Sequence, residues 1–226
     1  MTRGAVAIDL WLWSLDCGAV EADLRSTVLS AAERDRAGRF VQERDRIRFV
    51  SGRWRMREIL ADIVGTSAAA LPLAEGLNGK PVLSEGPVFN LSHAAGLAAL
   101  AVTADRSVLL GVDIEGARPV GAGLARLAFA PEERAALQAL DPSARDWAFF
   151  LGWTRKEAVV KASGAGLRAD LSGFAVTLEQ DAARLLRIDG DSTENWRLHD
   201  FRPRHDLAGA IACRTEGREI VVSRRA

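Results

Sequence analysis

Gly111-Val-Asp-Ile-Glu115 ends an apolar run, and in an extended strand residues two apart share a face. Asp113 and Glu115 then point one way while Val112 and Ile114 pack the other. Two carboxylates about 7 Å apart at Cα can share one hard divalent cation; two solvated acids at a strand end are the plainer alternative. A second set lies on a helix from about Asp146 to Ser163, apolar nearly all round through Trp147, Phe149, Phe150, Leu151, Trp153, Ala158, Val159 and Val160, and so expected to be buried. Glu157 and Lys161 fall in the arc of Trp147, Phe150 and Trp153. On an exposed face that pair would contribute only about 0.3 to 0.5 kcal/mol. On a buried face each charge costs several kcal/mol unless it is paired or bound to a metal or ligand, and that cost favours a functional role. Lys156 lies about a quarter turn from Glu157, toward the edge of the arc, where its ammonium can reach a phosphate. The third set is Phe89-Asn-Leu-Ser-His93. Adjacent strand residues point apart and no G-x-S-x-G surrounds Ser92, so Ser92 and His93, expected in a hairpin loop, read as an anion-binding lip and not as part of a triad.

Composition bounds what these residues can serve. The 226 residues hold 30 basic and 30 acidic side chains and are 48% hydrophobic, which suits a globular protein and gives no sign of a nucleic-acid binder. Arginine supplies 27 of the basic residues and lysine only three, Lys80, Lys156 and Lys161. The apolar stretch from Val6 to Leu15 is too short to span a bilayer, is interrupted by Asp9 and lacks the basic head of a signal peptide, so a cytoplasmic protein without a membrane partner is expected. Cys17 and Cys213 stand far apart, in no metal-ligand spacing, and are expected to be free thiols.

The elements that must position these sets follow from periodicity. Alternation predicts a strand over about 5–13; Ser30 with Glu33 makes a capping box that opens a helix. From Glu33 to Glu58 nine arginines face five acids, mostly as a solvated helix face, with one or two free to hold a phosphate. A second helix is expected around Gly52 to Val64, ending at Gly65. Three runs, Val88 to Leu91, Leu97 to Thr103 and Val108 to Glu115, predict an antiparallel meander. Helices open at Pro131 and at Asp141-Pro-Ser, the latter ending at Gly164, and strands are expected at Phe174 to Leu178, Leu185 to Ile188, Trp196 to Phe201 and Ala208 to Cys213. This order predicts an α+β fold. Trp54-Arg-Met-Arg-Glu58 with Gly65 returns as Trp153-Thr-Arg-Lys-Glu157 with Gly164, an offset of 99 at which Glu33 falls on Glu132. If the echo is a repeat, two similar halves meet near residue 111 and a cleft between them is the natural site.

Taken in order, F-N-x-S-H, G-V-D-I-E about twenty residues on, and W-x-x-K-E-A-x-x-K-x-x-G-x-G-L resemble the 4'-phosphopantetheinyl transferases of the surfactin-synthetase-activating type, over residues 30 to 178. The resemblance implies an intramolecular pseudo-dimer of two α+β halves, 1–110 binding the nucleotide and 111–226 carrying the metal strand and the W-x-x-K-E helix, with the site in the cleft. It implies transfer of the phosphopantetheine arm of coenzyme A to a serine of an apo acyl or peptidyl carrier protein, with Mg²⁺ held by Asp113, Glu115 and Glu157. Glu157 and Lys161 would be catalytic, Glu157 taking the serine proton directly or through a metal-bound water. Lys156 and Lys161 would lie on the phosphate and pantetheine side and Ser92 and His93 on the nucleotide-phosphate lip. Gly79, Lys80 and Pro81 would lie near the adenine, Arg36 on the 3'-phosphate, and Glu133 would be an acid near the site. Glu33 and Arg34 depart from the family's lysine-rich edge. A monomer is implied. A non-catalytic homologue that binds coenzyme A or a carrier, and a metal-dependent phosphodiesterase, are the competing readings.

Overall fold

Val6, Ile8 and Leu10 are all but inaccessible and their neighbours are not, which is the alternation of a strand with one face in the core. This strand, β1 (Val6–Ser14), opens the computed structural model, which describes residues 4–76, 79–166 and 170–226. There follow α1 (Ala19–Ser26), α2 (Ala31–Ala37), α3 (Glu43–Val64), β2 (Leu73–Glu75), β3 (Pro81–Leu83), β4 (Val88–Ala94), β5 (Leu97–Thr103) and β6 (Leu109–Gly116). Then come α4 (Ala122–Ala128), α5 (Pro131–Ala139), α6 (Pro142–Ser163), β7 (Phe174–Val176), β8 (Leu185–Ile188), β9 (Trp196–Arg204), β10 (Leu207–Arg214) and β11 (Ile220–Arg225). The fold is α+β. Among the described residues no helix is long and apolar enough to cross a membrane.

The chain packs as two compact units. One holds the chain up to Trp11, Val88–Ala95 and Ala99–Ala226; the other holds Leu12–Pro87 and Gly96–Ala98. The units follow packing and not chain order, since β4 and most of β5 belong with the C-terminal elements. One sheet runs β11-β1-β5-β4, with β11 parallel to β1, and a second runs β6-β10-β9, with β10 antiparallel to both neighbours.

The expected meander is therefore only half formed. β4 and β5 are neighbours, joined by Ala95 and Gly96 at φ 47° and 78°, the positive values that a tight two-residue hairpin needs. β6 instead pairs with β10, and side chains of β4 tie to it: Val112 N–H donates to Asn90 Oδ1 at 2.9 Å and Ile114 N–H to Ser92 Oγ at 3.4 Å. These bonds satisfy buried amides of β6 on the side away from β10. They give the Asn and Ser of F-N-x-S-H a structural task.

Two helices of 22 residues, α3 and α6, each stop at a left-handed glycine, Gly65 and Gly164. α3 begins nine residues before the expected start at Gly52, its first turns laced by surface ion pairs such as Arg46 to Glu43 at 2.7 Å. In each case a short helix precedes the long one and a carboxylate near its start takes a cation from the long helix. Glu33 Oε2 accepts from Ser30 N–H, completing a capping box, and from Arg57 Nε at 2.7 Å. Glu133 Oε2 accepts from Ala130 N–H at 2.7 Å and from Lys156 Nζ at 2.6 Å. The counterpart of Glu33 is thus Glu133 and not Glu132, one residue beyond the offset that relates the tryptophans.

α6 lies directly on β6 and β10. A Cβ on Gly111 would stand 2.0 Å from Ala158 O and 2.6 Å from Ala162 N, so only glycine permits this approach. Gly111→Ala is therefore expected to lower unfolding free energy by about 3 kcal/mol, the upper end for overpacking, because the obstacle is backbone. Urea denaturation measures it.

Candidate active site

The approach at Gly111 brings Asp113, two residues further along β6, under the face of α6 that carries Lys161. Asp113 is only 4% exposed, and its Oδ1 accepts from Lys161 Nζ at 2.6 Å and from Ser92 Oγ at 2.9 Å. Its Oδ2 is buried and accepts no hydrogen bond among the described residues. Burial pushes the Asp113 carboxyl above the usual range, against the pull of Lys161 and Ser92. Glu157, one turn before Lys161, is also raised, first by burial and then by the Asp113 and Glu115 carboxylates, with Lys161 opposing. Glu115 stands on the same side of β6 as Asp113, half-buried, with Arg118 Nη1 at 3.6 Å. The structure thus gathers Asp113, Glu115, Glu157, Lys161 and Ser92 into one field of three carboxylates and one ammonium.

Among the described residues no group of three or more His, Cys, Asp or Glu is arranged to enclose a metal ion. The donor set nonetheless suits a hard cation in kind: it is all oxygen, its members repel one another, and it contains one bare buried carboxylate oxygen.

Three expectations are corrected. Lys156 does not reach this site: it is 0% exposed, its Nζ donates to Glu133 Oε2 and, at 2.7 Å, to Phe174 O, and it lies over the Phe174 ring at 4.4 Å. The helix turns 100° between Lys156 and Glu157, enough to send one to the core and the other to the site. Ser92 and His93 lie in β4, not in a loop, so they alternate: Ser92 is buried against Asp113 while His93 is exposed. Ser92 Oγ is therefore not part of an open anion lip. Glu133 is buried and spends its oxygens on Lys156 and on the Ala130 and Val176 amides.

The other unit contains a cavity of about 720 Å³ that brings together Arg36, Gly79 and Pro81 of the expected nucleotide set. Its wall also carries Arg39, Arg53, Arg57, Phe40 and Phe49, with Glu33, Asp35 and Glu75 as acids. Phe49 lies under two guanidinium groups, Arg36 at 5.4 Å and Arg53 at 5.5 Å from its centroid. Arg57 is anchored to Glu33 and to the Ala68 and Leu71 carbonyls, and Arg53 sits 3.9 Å from Glu33. Burial, opposed by Glu33, holds the Arg53 guanidinium below its usual range. Such a wall suits a phosphate monoester beside an aromatic base. The sequence does not single out Arg53 and Arg57 among the nine arginines from Glu33 to Glu58, although Phe49, Arg53 and Arg57 recur at four-residue spacing on one helix face.

Residues 109–212 match the family model described as the 4'-phosphopantetheinyl transferase superfamily, and residues 19–105 match that of the 4'-phosphopantetheinyl transferase N-terminal region. The chain is 32% identical over 213 residues to the 4'-phosphopantetheinyl transferase HetI of Nostoc sp., covering 90% of this chain and 87% of the relative. The chain belongs to the 4'-phosphopantetheinyl transferase superfamily. Within it, a 4'-phosphopantetheinyl transferase of Bacillus subtilis is 30% identical over 86% of this chain and 87% of its own. The transferase Sfp of Bacillus subtilis strain 168 is 28% identical over 81% and 82%. Both the carboxylate field and the whole lining of the arginine cavity fall inside residues matched by the two family models.

The raised carboxyl of Glu157 has a consequence for stability. The folded protein holds the Glu157 proton more tightly than the unfolded chain, so as pH rises above the ordinary 4.5 the ionising carboxylate costs stability that a neutral amide would not. In the absence of divalent cations Glu157→Gln is therefore expected to melt higher than wild type at neutral pH, with the difference vanishing as pH falls below 4.5. Paired thermal melts across that range check it; a difference independent of pH would mean that Glu157 is not in this field.

Proposed function

We propose that this transferase moves the 4'-phosphopantetheine arm of coenzyme A onto a serine hydroxyl of an apo acyl or peptidyl carrier protein. The observation that carries the reading is Asp113: one carboxylate oxygen tied by Lys161 and Ser92, the other buried and bare, in a superfamily strand beside Glu157. A serine O–P bond forms and the pyrophosphate P–O bond breaks, so adenosine 3',5'-bisphosphate leaves. Asp113 Oδ2, Glu115 and Glu157 would hold Mg²⁺, which when bound neutralises charge that builds on the leaving phosphate.

The chain's own residues do the rest. Glu157, made more basic by burial and by its carboxylate neighbours, accepts the serine proton. Lys161 fixes Asp113 through Oδ1 and supplies the positive charge nearest the phosphates. Arg36 and Arg53 take the 3'-phosphate, with Arg57 anchored behind them, and Phe49 with the Gly79–Pro81 turn takes the adenine, a reading supported by their shared cavity. Lys80 belongs to that turn, and His93, exposed on β4, would contact a nucleotide phosphate. The division into halves at 110 and 111 forming a pseudo-dimer is part of the proposal, supported by the matched 22-residue helices and by family models that end at 105 and begin at 109. A monomer working on free carriers is proposed with it.

Purified protein given coenzyme A, Mg²⁺ and an apo carrier is expected to add one phosphopantetheine mass to the carrier. Absence of the gain across several carrier types overturns the reading, and adenosine bisphosphate released without a carrier indicates a hydrolase. Glu157→Gln should lower kcat by about 10²-fold or more, the usual loss when a general base is removed. Arg53→Leu should raise KM for coenzyme A while leaving KM for the carrier unchanged, as steady-state kinetics would show.

A further inference from the structure

The Gly111 contact fixes how near α6 comes to β6 but leaves the helix free to turn about its axis. A carboxylate about 6 Å from a helix axis moves about 1 Å for each 10° of rotation. A displacement of that size can cost about 10²-fold in rate. Something must therefore fix the rotation. Lys156 is adjacent to Glu157, wholly buried, and holds α5 through Glu133 Oε2 at 2.6 Å and the start of β7 through Phe174 O at 2.7 Å. Glu133 in turn is fixed by the amides of Ala130 and Val176. The other unit repeats the device: Arg57 of α3 holds Glu33 of α2 and the carbonyls of Ala68 and Leu71, and Arg53, one turn earlier, lines the cavity. In both, an internal cation and carboxylate hold a long helix whose neighbouring residues line the arginine cavity or the carboxylate field.

We infer that Glu133 and Lys156 are positioning residues: their buried ion pair sets the rotation of α6 that aims Glu157 at the reacting serine, without touching coenzyme A. This rests on the transferase reading above. It assigns Lys156 an effect on turnover and none on nucleotide affinity, the reverse of what a phosphate-binding lysine would show.

Lys156→Met and the double variant Glu133→Gln with Lys156→Met separate positioning from mere stability. Removing one partner strands a buried charge, whereas removing both charges relieves that cost. Arg155, which holds Asp200 and the Glu179 carbonyl from the preceding position of α6, keeps the helix docked in either case. The single variant is expected to melt lower than wild type and to lose about 10²-fold in kcat with KM for coenzyme A within twofold. The double variant is expected to recover the melting temperature but not kcat. Recovery of kcat together with stability would show a purely structural pair and overturn the inference. A tenfold rise in KM for coenzyme A in Lys156→Met with kcat retained would place the lysine on the ligand and overturn it too. Wild type measured alongside distinguishes the levels: wild-type transfer with either of those outcomes defeats the positioning pair alone, and a wild type that transfers nothing defeats the reading beneath it as well.

Discussion

Helix α6 can rest on β6 only because residue 111 has no side chain, and the carboxylate site is a consequence of that approach. With the backbones of Gly111 and Ala158 in contact, Lys161 comes within 2.6 Å of Asp113, two residues along the strand. The charges so assembled would repel in a looser structure less and here repel more, which is why burial and neighbouring carboxylates hold Glu157 and Asp113 above their usual range. The site therefore stores unfavourable electrostatics that a bound cation would relieve. The rest of this unit opposes that repulsion: Asn90 and Ser92 of β4 hold β6, β10 pairs its full length, and Arg155 and Lys156 anchor α6 from the core side.

Buried cations are used here as anchors more than as ligands. Arg57, Arg155 and Lys156 are each almost inaccessible, and each spends its donors on a carboxylate and on backbone carbonyls. A lone buried charge would cost several kcal/mol, so each of these groups specifies one position for its helix. Lysine suits the position between Phe129 and Phe174, where the ammonium needs a slim approach to one carboxylate oxygen and one carbonyl. The scarcity of lysine in this arginine-rich chain thus marks two different tasks, an internal anchor at Lys156 and a site cation at Lys161.

Local rules made much of this legible. The alternation of β1, the capping box at Ser30 and Glu33, the left-handed glycines that end α3 and α6, and the shared face of Glu157 and Lys161 all depend on neighbours in sequence. What stayed hidden depends on partners far along the chain. The parallel pairing of β11 with β1 joins residues more than two hundred apart, and the place of β6 beside β10 is set by bonds that no period reveals. Lys156 illustrates the limit most clearly: helical spacing places it a quarter turn from Glu157, but only the positions of Glu133 and Phe174 decide that it points inward. Ser92 shows the same limit, since three extra residues of strand at the end of β4 convert an expected loop donor into a buried one.

On the proposed function, Asp113 Oδ2 is left bare so that a cation carrying the phosphates of coenzyme A can take it. A structure determined with coenzyme A and Mg²⁺ bound tests this most directly. The expected result is a cation about 2.1 Å from Asp113 Oδ2, with Lys161 still on Oδ1 and phosphate oxygens completing the shell. Bound coenzyme A with its cation elsewhere and Asp113 Oδ2 still without a partner would contradict the account.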